Sequence, residues 1–388
     1  MEKWSRELEV LKEEGLYRQL KVLESAQAPR AVIAGQEVIM LASNNYLGLS
    51  VNSEIKDKVM ETIKEYGTGS GGSRLTTGSY DLHQRLEEKL ADFKSTEASL
   101  VFNTGYMANV GVLTTVVGAG DLIISDQLNH ASIIDGCRLS KAETTIYRHG
   151  DLEDLEKKLQ LGANYEQRLI VTDGVFSMDG DLAPLTEIVR LAKKYQALVM
   201  VDDAHGTGVL GKSGAGISEH FDLKDQIDIQ VGTLSKALAA EGGFVAGSQE
   251  LIDLLRNKAR SFIYSTALAP ATIMAGLAAV TYLEENPQLL DQLWDNIKLL
   301  TTGLKELGYQ LVPSHSAIIP IMIGDENKTV ELSKELLEAG VLAPGIRPPT
   351  VAGGTSRIRT TVMANHKRQD IEEALESFAE VGKKLGII

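Results

Sequence analysis

Residues 197–205 read ALVMVDDAH, an apolar run that ends in two aspartates and a histidine. A strand that is apolar on both faces is typical of the interior of a parallel sheet. Helical patterns, such as those of residues 151–159 and 184–195, separate similar runs along the chain, and parallel strands need crossovers of this kind. These runs are ASLVF (98–102), DLIISD (121–126), TTIYRH (144–149), RLIVTDG (168–174), IDIQVGT (227–233) and GFVAGS (243–248). The alternation predicts an α/β fold whose mainly parallel central sheet is covered by helices on both sides.

The regular alternation of apolar strand patterns and helical patterns ends at about residue 260. Two long helical patterns cover residues 270–307, and AIIPIMIG (317–324) and RIRTTV (357–362) then alternate with further helical patterns. This arrangement predicts a smaller α+β domain. We expect a large domain over residues 46–260 and connecting helices with the small domain over 261–388. An N-terminal helix and segment over 1–45 would join the small domain.

Composition excludes several classes of protein. The chain has 388 residues, and 39 Lys and Arg against 53 Asp and Glu give a net charge of −14, which argues against a nucleic-acid binder. The single cysteine excludes a disulfide framework or a cysteine-based zinc site and favours the cytoplasm. The charged N-terminal sequence is not that of a signal peptide, and no stretch is apolar enough to span a membrane. We therefore expect no nucleic-acid partner, no membrane association and no metal.

Residues 67–72, GTGSGG, match the glycine pattern of dinucleotide-binding folds. That fingerprint needs a strand before it and a helix opening at its last glycine. Here a helical pattern precedes the glycines and SRLTTGSY follows them. We interpret the motif as a flexible loop near a ligand or an interface.

Residues 206–213, GTGVLGKS, match the P-loop pattern, and an apolar strand precedes them. A P-loop requires a long helix that starts at its lysine, but GAGISEH follows, and glycine destabilises a first helical turn by about 1 kcal/mol per residue relative to alanine. The two preceding aspartates would also repel phosphates. A P-loop nucleotide hydrolase is the alternative enzyme class.

Polar groups at successive strand ends point to one site, because ligands of open α/β sheets bind at the carboxyl edge. Asp202 is the first residue after an apolar run, and we expect it to be buried, facing away from Asp203 because side chains alternate. Lys236 stands among apolar and small residues after IDIQVGT, a composition that suits a desolvated nucleophilic amine.

Two more features belong with this site. The strand FNTG runs into a helix at Gly105, whose first N–H groups can bind a phosphate. His130 follows another buried strand and is a candidate for stacking on a flat ring. A carboxylate for a pyridinium, a lysine for an aldehyde and a helix N-terminus for a phosphate are the three anchors that pyridoxal phosphate requires.

The same segments resemble the α-oxoamine synthases over nearly the whole chain. The matching motifs are NNYLGL (44–49), GSGGSRLTTG (69–78), NHASIIDG (129–136), TDGVFSMDGD (172–181), VDDAHGTG (201–208), GTLSKA (232–237), IYSTA (263–267), IRPPTV (346–351) and SRIRT (356–360). These proteins are fold-type I pyridoxal phosphate-dependent transferases that join an amino acid to an acyl thioester. The resemblance implies the same fold and the same cofactor for this chain.

The resemblance assigns roles around the cofactor ring. Lys236 would bond the cofactor aldehyde and later act as the general base. Asp202 would pair with the ring nitrogen and His130 would stack on the ring and contact substrate. His205 and Ser177 would lie near the phenolic oxygen of the ring and the substrate.

The resemblance also assigns residues to the cofactor phosphate and to the interface between subunits. Gly105 and Tyr106 would hold the phosphate at the helix start, with Thr233 beside it. Ser265 and Thr266 would reach the phosphate of the neighbouring subunit, which implies a homodimer with shared active sites.

For the substrates, the resemblance implies that Arg359 would bind the amino-acid carboxylate as a bidentate partner. Arg18, Asn44 and Thr350 would line the acyl side. The implied reaction is a decarboxylative condensation of glycine, or another small amino acid, with an acyl thioester.

The acyl group has two candidates. We favour a pimeloyl thioester, as used in biotin biosynthesis, because IRPPTV lies where the acyl chain would pass. Acetyl-CoA is the alternative, and the carrier can be CoA or an acyl carrier protein. A non-enzymatic binding or regulatory module is a third hypothesis, against which the presence of Lys236 argues.

Overall fold

The computed structural model describes residues 2–13, 16–17 and 20–388. The helices are α1 Glu2–Glu13, α2 Ser53–Tyr66, α3 Asp81–Lys94, α4 Gly105–Val116, α5 Ala131–Leu139, α6 Leu152–Leu161, α7 Leu185–Tyr195, α8 Ile217–His220, α9 Gln249–Lys258, α10 Arg260–Ile263, α11 Pro270–Glu285, α12 Gln288–Glu306, α13 Glu326–Glu338 and α14 Arg368–Lys384. The strands are β1 Arg30–Ile33, β2 Gln36–Met40, β3 Ala98–Phe102, β4 Leu122–Asp126, β5 Glu143–Tyr147, β6 Arg168–Asp173, β7 Leu198–Asp202, β8 Ile229–Thr233, β9 Gly243–Gly247, β10 Ile318–Gly324, β11 Val341–Leu342, β12 Gly345–Ile346 and β13 Ser356–Thr361.

Seven strands form the central sheet in the order β3-β9-β8-β7-β6-β4-β5. The five strands from β8 to β5 run parallel, and β9 is antiparallel to both of its neighbours. Successive residues of β7 enter different hydrophobic cores, Val199 and Val201 on one face and Met200 on the other. The predicted α/β class with a mainly parallel, doubly covered sheet is confirmed.

The carboxyl ends of β6, β7 and β8 meet at one edge of this sheet. Asp173 lies opposite Asp202, and Asp202 lies opposite Val231. This register places the last residues of three strands, and the turns that follow them, around a common space. The functional groups predicted at separate strand ends are therefore neighbours.

Two three-stranded sheets lie outside the central sheet. The strands β10, β13 and β12 form an antiparallel sheet, on which α13 packs, and α14 packs on α12 and α13. The strands β1 and β2 pair with each other, and β2 also pairs with β11 from the C-terminal part of the chain. The division of the chain into domains at residues 45 and 260 stays a prediction.

The segment 206–213 does not form a P-loop. It is a series of turns, and the helix after it, α8, begins at Ile217 and is one turn long. Lys212 is exposed, and Ser213 donates to Glu219. Because a P-loop binds phosphates at the start of a long helix, the nucleotide-hydrolase alternative is wrong on this geometry.

In the described part of the chain, no helix combines the length and hydropathy needed to cross a membrane.

Candidate active site

A cavity of about 210 Å³ lies at the carboxyl ends of β6, β7 and β8. Most residues predicted for the cofactor line it. The lining consists of Thr104, Gly105, Tyr106, Asn109, His130, Ser132, Asp173, Val175, Ser177, Asp202, Ala204, His205, Thr233, Ser235 and Lys236. The cavity thus collects residues that the sequence places more than one hundred positions apart.

Lys236 stands in the turn that follows β8. No hydrogen bond or ion pair to its amine is formed by the residues that the structure describes. Burial lowers the pKa of Lys236, and Arg359 lowers it further, while Asp202 and Asp173 raise it. An amine that is desolvated and has no fixed partner is suited to nucleophilic and base chemistry.

Asp202 ends β7 and reaches the cavity with a fixed carboxylate. Its Oδ2 accepts from Asn109 Nδ2 at 2.6 Å, and its Oδ1 accepts from the Ala204 N–H at 3.0 Å. Hydrogen bonds to both oxygens hold the carboxylate in one orientation. A fixed carboxylate in a cavity of this kind can pair with a protonated heterocyclic nitrogen.

Asp203 is buried as well, on the other side of the strand. Its Oδ2 is 2.6 Å from Lys94 Nζ, and both side chains are almost fully buried. The alternation expected for the two aspartates therefore holds, but each of them is buried.

Two histidines line the cavity with their rings held by neighbours. The Nδ1 of His205 is 2.7 Å from the Tyr46 hydroxyl, and the Nδ1 of His130 is 2.7 Å from Ser132 Oγ. Burial lowers the pKa of His205 well below its ordinary value, and Lys236 adds to this. Desolvation also lowers the pKa of His130. Both imidazoles are thus neutral near pH 7, and each keeps one ring nitrogen for a ligand or a tautomeric partner.

The N-terminus of α4 forms another wall. Thr104 caps the helix by accepting from the Met107 N–H at 3.1 Å, so the helix starts at Gly105, whose N–H has no partner within the helix. Thr233 lies beside Gly105. The Tyr106 hydroxyl instead donates to Asp135 at 2.8 Å, so an anion at the helix start would be bound by its backbone N–H and not by its hydroxyl.

Arg359 comes from β13 and approaches the cavity from the second region of the fold. Its Nε donates to the Ser177 carbonyl at 2.6 Å, and its Nη2 donates to Asn44 Oδ1 at 3.1 Å. It is close enough to His205 and Lys236 to lower the pKa of each. A fixed guanidinium at this place can bind a substrate carboxylate.

Three predicted residues lie elsewhere, and a fourth is not among the residues that the structure describes. Ser265 and the exposed Thr266 are outside the cavity of their own chain, where Thr266 pairs with Ser73 of the glycine-rich loop. Thr350 lines a different groove, beside α1. Arg18 lies outside the described residues.

Sequence reasoning missed several residues that line the cavity and one, Tyr46, that supports a lining residue. Asn109 and Ser132 were not singled out, although they fix Asp202 and His130. Asp173 and Tyr46 occur in quoted motifs, but no local signal gave them a role. Strand alternation could have indicated Asp173, which ends β6 as Asp202 ends β7.

The cavity fits pyridoxal phosphate. One space contains an amine to which no described residue is bonded, a hydrogen-bonded carboxylate and the start of a helix, which match the aldehyde, ring nitrogen and phosphate of that group. His130 stands at the wall, where a flat ring could be covered.

Comparisons with known proteins agree with this site. Residues 36–378 match the aminotransferase class I and II family. The 8-amino-7-oxononanoate synthase of Thermoanaerobacter pseudethanolicus is 51% identical over 98% of this chain and 97% of its own length. Serine palmitoyltransferase of S. paucimobilis, in a structure that contains pyridoxal phosphate, has a TM-score of 0.94 and 34% identity over 100% of this chain and 98% of its own. The 8-amino-7-oxononanoate synthase of Francisella tularensis has a TM-score of 0.77 and 29% identity over 90% of this chain and 99% of its own.

The fold and the site define a fold-type I transferase whose cofactor is pyridoxal phosphate. The chain belongs to the aminotransferase class I and II family and, within it, to the α-oxoamine synthases. The expectation of an acyltransferase is confirmed, and the hypothesis of a non-enzymatic module is not supported. The roles of individual residues stay predictions.

Proposed function

We propose that this enzyme condenses alanine with a pimeloyl thioester to give 8-amino-7-oxononanoate, carbon dioxide and a free thiol. The 51% identity to a protein named for that product, over nearly the full length of both chains, carries the proposal. It retains the pimeloyl donor favoured by the sequence.

The product name specifies the amino acid by its carbon count. The nine-carbon chain carries a ketone at C7 and an amine at C8. A seven-carbon acyl group supplies C1 to C7, so C8 and C9 are the α-carbon and methyl group of alanine. Overall, the acyl group replaces the carboxylate on the α-carbon, the carbon–sulfur bond breaks, and the acid proton ends on the thiol. Glycine would give a chain one carbon shorter, so among small amino acids alanine is selected.

A groove of about 680 Å³ between α1 and residues 345–350 supports the acyl assignment. Its lining is mainly apolar, with Leu8, Leu11 and Ile346 among the contributors. Arg347 also lines it and supplies a positive charge suited to the free carboxylate of a pimeloyl group. The strand β12 on this wall pairs with β13, which carries Arg359, so the groove lies one strand away from the predicted carboxylate site.

When bound, pyridoxal phosphate supplies an aldehyde that combines with amines and a ring that accepts the electron pair left on an amino-acid α-carbon. Lys236, which lines the cavity, would hold the aldehyde carbon, and Asp202 would keep the ring nitrogen protonated. The start of α4 would hold the phosphate through its free N–H groups.

The protein moves the proton of the α-carbon with Lys236. Because its pKa is lowered, a larger fraction of the amine is neutral near pH 7, and only the neutral amine can accept a proton. A positioned base of this kind contributes about 10²–10⁴-fold to the rate. Arg359 would orient the substrate carboxylate, and His205, fixed by Tyr46, would hold polar oxygens at the ring edge.

The assignment is tested by comparing pimeloyl-CoA with acetyl-CoA, each with alanine and with glycine, on the purified holoenzyme. We expect pimeloyl-CoA with alanine to give the highest kcat/KM by orders of magnitude. Leu8→Asp should raise the KM for pimeloyl-CoA on the order of tenfold by charging the apolar groove, whereas Leu20→Asp, at an exposed site outside it, should not. Preference for acetyl-CoA with glycine would instead make the enzyme a glycine C-acetyltransferase.

We also propose a homodimer with shared active sites. Thr266 is exposed and lies next to the glycine-rich loop. The Ala267 N–H donates to the Gly72 carbonyl, and Asn103 donates to the Thr266 carbonyl. Ser265 and Thr266 do not line the cavity of their own chain. In a dimer, they would contact the phosphate site of the partner subunit.

Mixing two inactive variants tests the shared site. Lys236→Ala lacks the base, and Thr266→Lys would block the phosphate site of the partner subunit. If the site is shared, hybrids regain activity, because one of their two sites combines an intact Lys236 with an intact Thr266. Mixtures no more active than either parent would mean that each chain has a self-contained site. The cytoplasmic location and the choice between CoA and an acyl carrier protein stay predictions.

A further inference from the structure

Two carboxyl groups stand side by side in the cofactor cavity. Asp173 and Asp202 end the adjacent parallel strands β6 and β7 in direct register, and both line the cavity. Both are buried, with Asp173 4% exposed and Asp202 8% exposed. Two buried carboxylates so close together cannot both hold a charge without strong repulsion.

Their hydrogen bonds differ. Both oxygens of Asp202 accept hydrogen bonds, from the Asn109 amide and the Ala204 N–H. Asp173 Oδ2 accepts from the backbone N–H of His130 at 3.1 Å, but its Oδ1 has no hydrogen-bond partner among the described residues. A buried anionic oxygen without a partner is strongly destabilised, whereas the neutral acid loses far less on burial.

The charged groups and the hydrogen-bond donor that act on Asp173 come from several elements. The strand β7 contributes Asp202, the turn after β8 contributes Lys236, and β4 with its following loop contributes Asp126 and His130. Burial raises the pKa of Asp173 well above its ordinary value, Asp202 and Asp126 raise it further, and Lys236 and the His130 N–H oppose this. Two of the three carboxyl groups at this place therefore disfavour a charge on the third.

We propose that Asp173 is a positioning residue that remains a neutral carboxylic acid at pH 7. In this form its Oδ2 acts as the acceptor that fixes the backbone of His130, and Asp202 is left as the carboxylate charge that faces Lys236 and the cofactor ring nitrogen. The proposal rests on the proposed function only for the stacking role of His130, and it does not depend on the acyl donor.

The neutral acid has two consequences for the site. A second charge beside Asp202 would compete for Lys236 and hold its amine in the protonated form. A neutral group avoids this competition and still anchors His130 through a carbonyl-like oxygen. Asp202 thus provides the negative charge, and Asp173 holds the backbone of His130 in position.

Infrared difference spectroscopy tests the protonation state directly, on the full-length protein with and without cofactor. At pH 7 we expect the wild type to show a C=O stretching band of a protonated carboxylic acid that disappears in Asp173→Asn and persists in Asp202→Asn. Loss of the band in Asp202→Asn instead, or no difference in this region between wild type and Asp173→Asn, overturns the proposal. This measurement needs no turnover, so it succeeds or fails independently of the proposed function.

The positioning role is tested on the holoenzyme. Asp173→Ala removes the acceptor for the His130 N–H, and we expect about a tenfold fall in kcat with a changed visible circular dichroism of the bound cofactor. Asp173→Asn, which keeps an acceptor oxygen and no charge, should recover most of both. A cofactor affinity that falls as far in Asp173→Asn as in Asp202→Asn would show that the charge is needed. A wild-type spectrum and kcat in Asp173→Ala would remove the positioning role. If Asp173→Ala fails to fold, the infrared measurement and the Asp173→Asn variant still test the proposal.

Discussion

Lys94, which is buried, and Lys236, which is half-buried, lie near the same strand end and have opposite surroundings. Lys94 is 1% exposed and donates to Asp203 at 2.6 Å, to Thr207 at 2.8 Å and to the Ala215 carbonyl at 2.7 Å. Lys236 has no such partner among the described residues. The two adjoining aspartates are divided between them, since Asp203 faces Lys94 and Asp202 faces the cavity of Lys236.

The contrast shows how a strand end can serve structure and function at once. Because consecutive side chains leave a strand on opposite sides, one aspartate can be fully paired while its neighbour is kept for a ligand. All three donors of Lys94 are used, so it has nothing to offer a substrate. A half-buried amine without fixed partners, such as Lys236, can change its protonation state and its bonding.

Two glycines, Gly206 in the former P-loop candidate and Gly216 just after it, lie against the ion pair of Lys94 and Asp203. A Cβ on Gly216 would lie 1.7 Å from Asp203 Oδ2, and one on Gly206 would lie 2.1 Å from Asp203 Oδ1. Gly216 also has a φ of +103°, which side chains rarely adopt. These two glycines let the backbone close around the ion pair of Lys94 and Asp203.

The largest expected effect is that of Lys236→Ala. Activity should fall by more than ~10⁴-fold, because both the group that holds the cofactor and the base are lost. The visible absorption of the bound cofactor should change at the same time. The free energy of unfolding should not fall, since the amine forms no stabilising bond among the described residues. Steady-state assays, absorption spectra and urea titrations check these three expectations. Substantial activity of the variant would show that Lys236 is not the reactive lysine.

Lys94→Met is expected to have the next largest effect, on stability. It leaves the Asp203 carboxylate buried and without its cation, which costs about 3–5 kcal/mol. Urea unfolding measures this loss, with Lys157→Met at an exposed site as the control within about 0.5 kcal/mol of wild type. Adding Asp203→Asn should recover part of the stability by removing the buried charge. Equal stability of Lys94→Met and Lys157→Met would mean that the pair contributes little.

The smallest expected effect concerns His149, a third cation, which resembles Lys94 in being fully partnered. Its ring lies 3.0 Å from Asp126 and 2.9 Å from Asp181, and their hydrogen bonds raise its pKa to about 10 from 6.5. The folded protein therefore binds this proton more tightly than the unfolded chain. The stabilisation is fully present below pH 6.5 and is lost as the pH rises toward 10.

His149→Gln should flatten this part of the pH profile of stability. Between pH 6.5 and 10, we expect the wild type to lose on the order of 2 kcal/mol more of its free energy of unfolding than the variant loses. Urea titrations across this range measure the difference, with His220→Gln at an exposed site as the control. Identical slopes in wild type and His149→Gln would show that the imidazolium is not stabilised by the two carboxylates.

Much of the cofactor side was accessible from sequence, because strand ends and helix starts are local features. Lys236, Asp202, His130 and the helix start at Gly105 were expected at one sheet edge, and all of them line the cavity. The burial of Lys94 was not expected, because Lys94 is the last residue of an amphipathic helix and no local sequence pattern indicates that it is buried. Its partner is 109 positions away, a pairing that no local pattern contains.

The sequence by itself determined the order and type of the elements, since apolar periodicity and turn residues act over a few neighbours. It also determined which strand ends carry polar side chains. Only the tertiary structure decided which cation meets which carboxylate, and that Asp173 and Asp202 stand in register. Strand order and register arise from packing between segments far apart in the chain, so the surroundings that make one lysine structural and another reactive are properties of the folded protein.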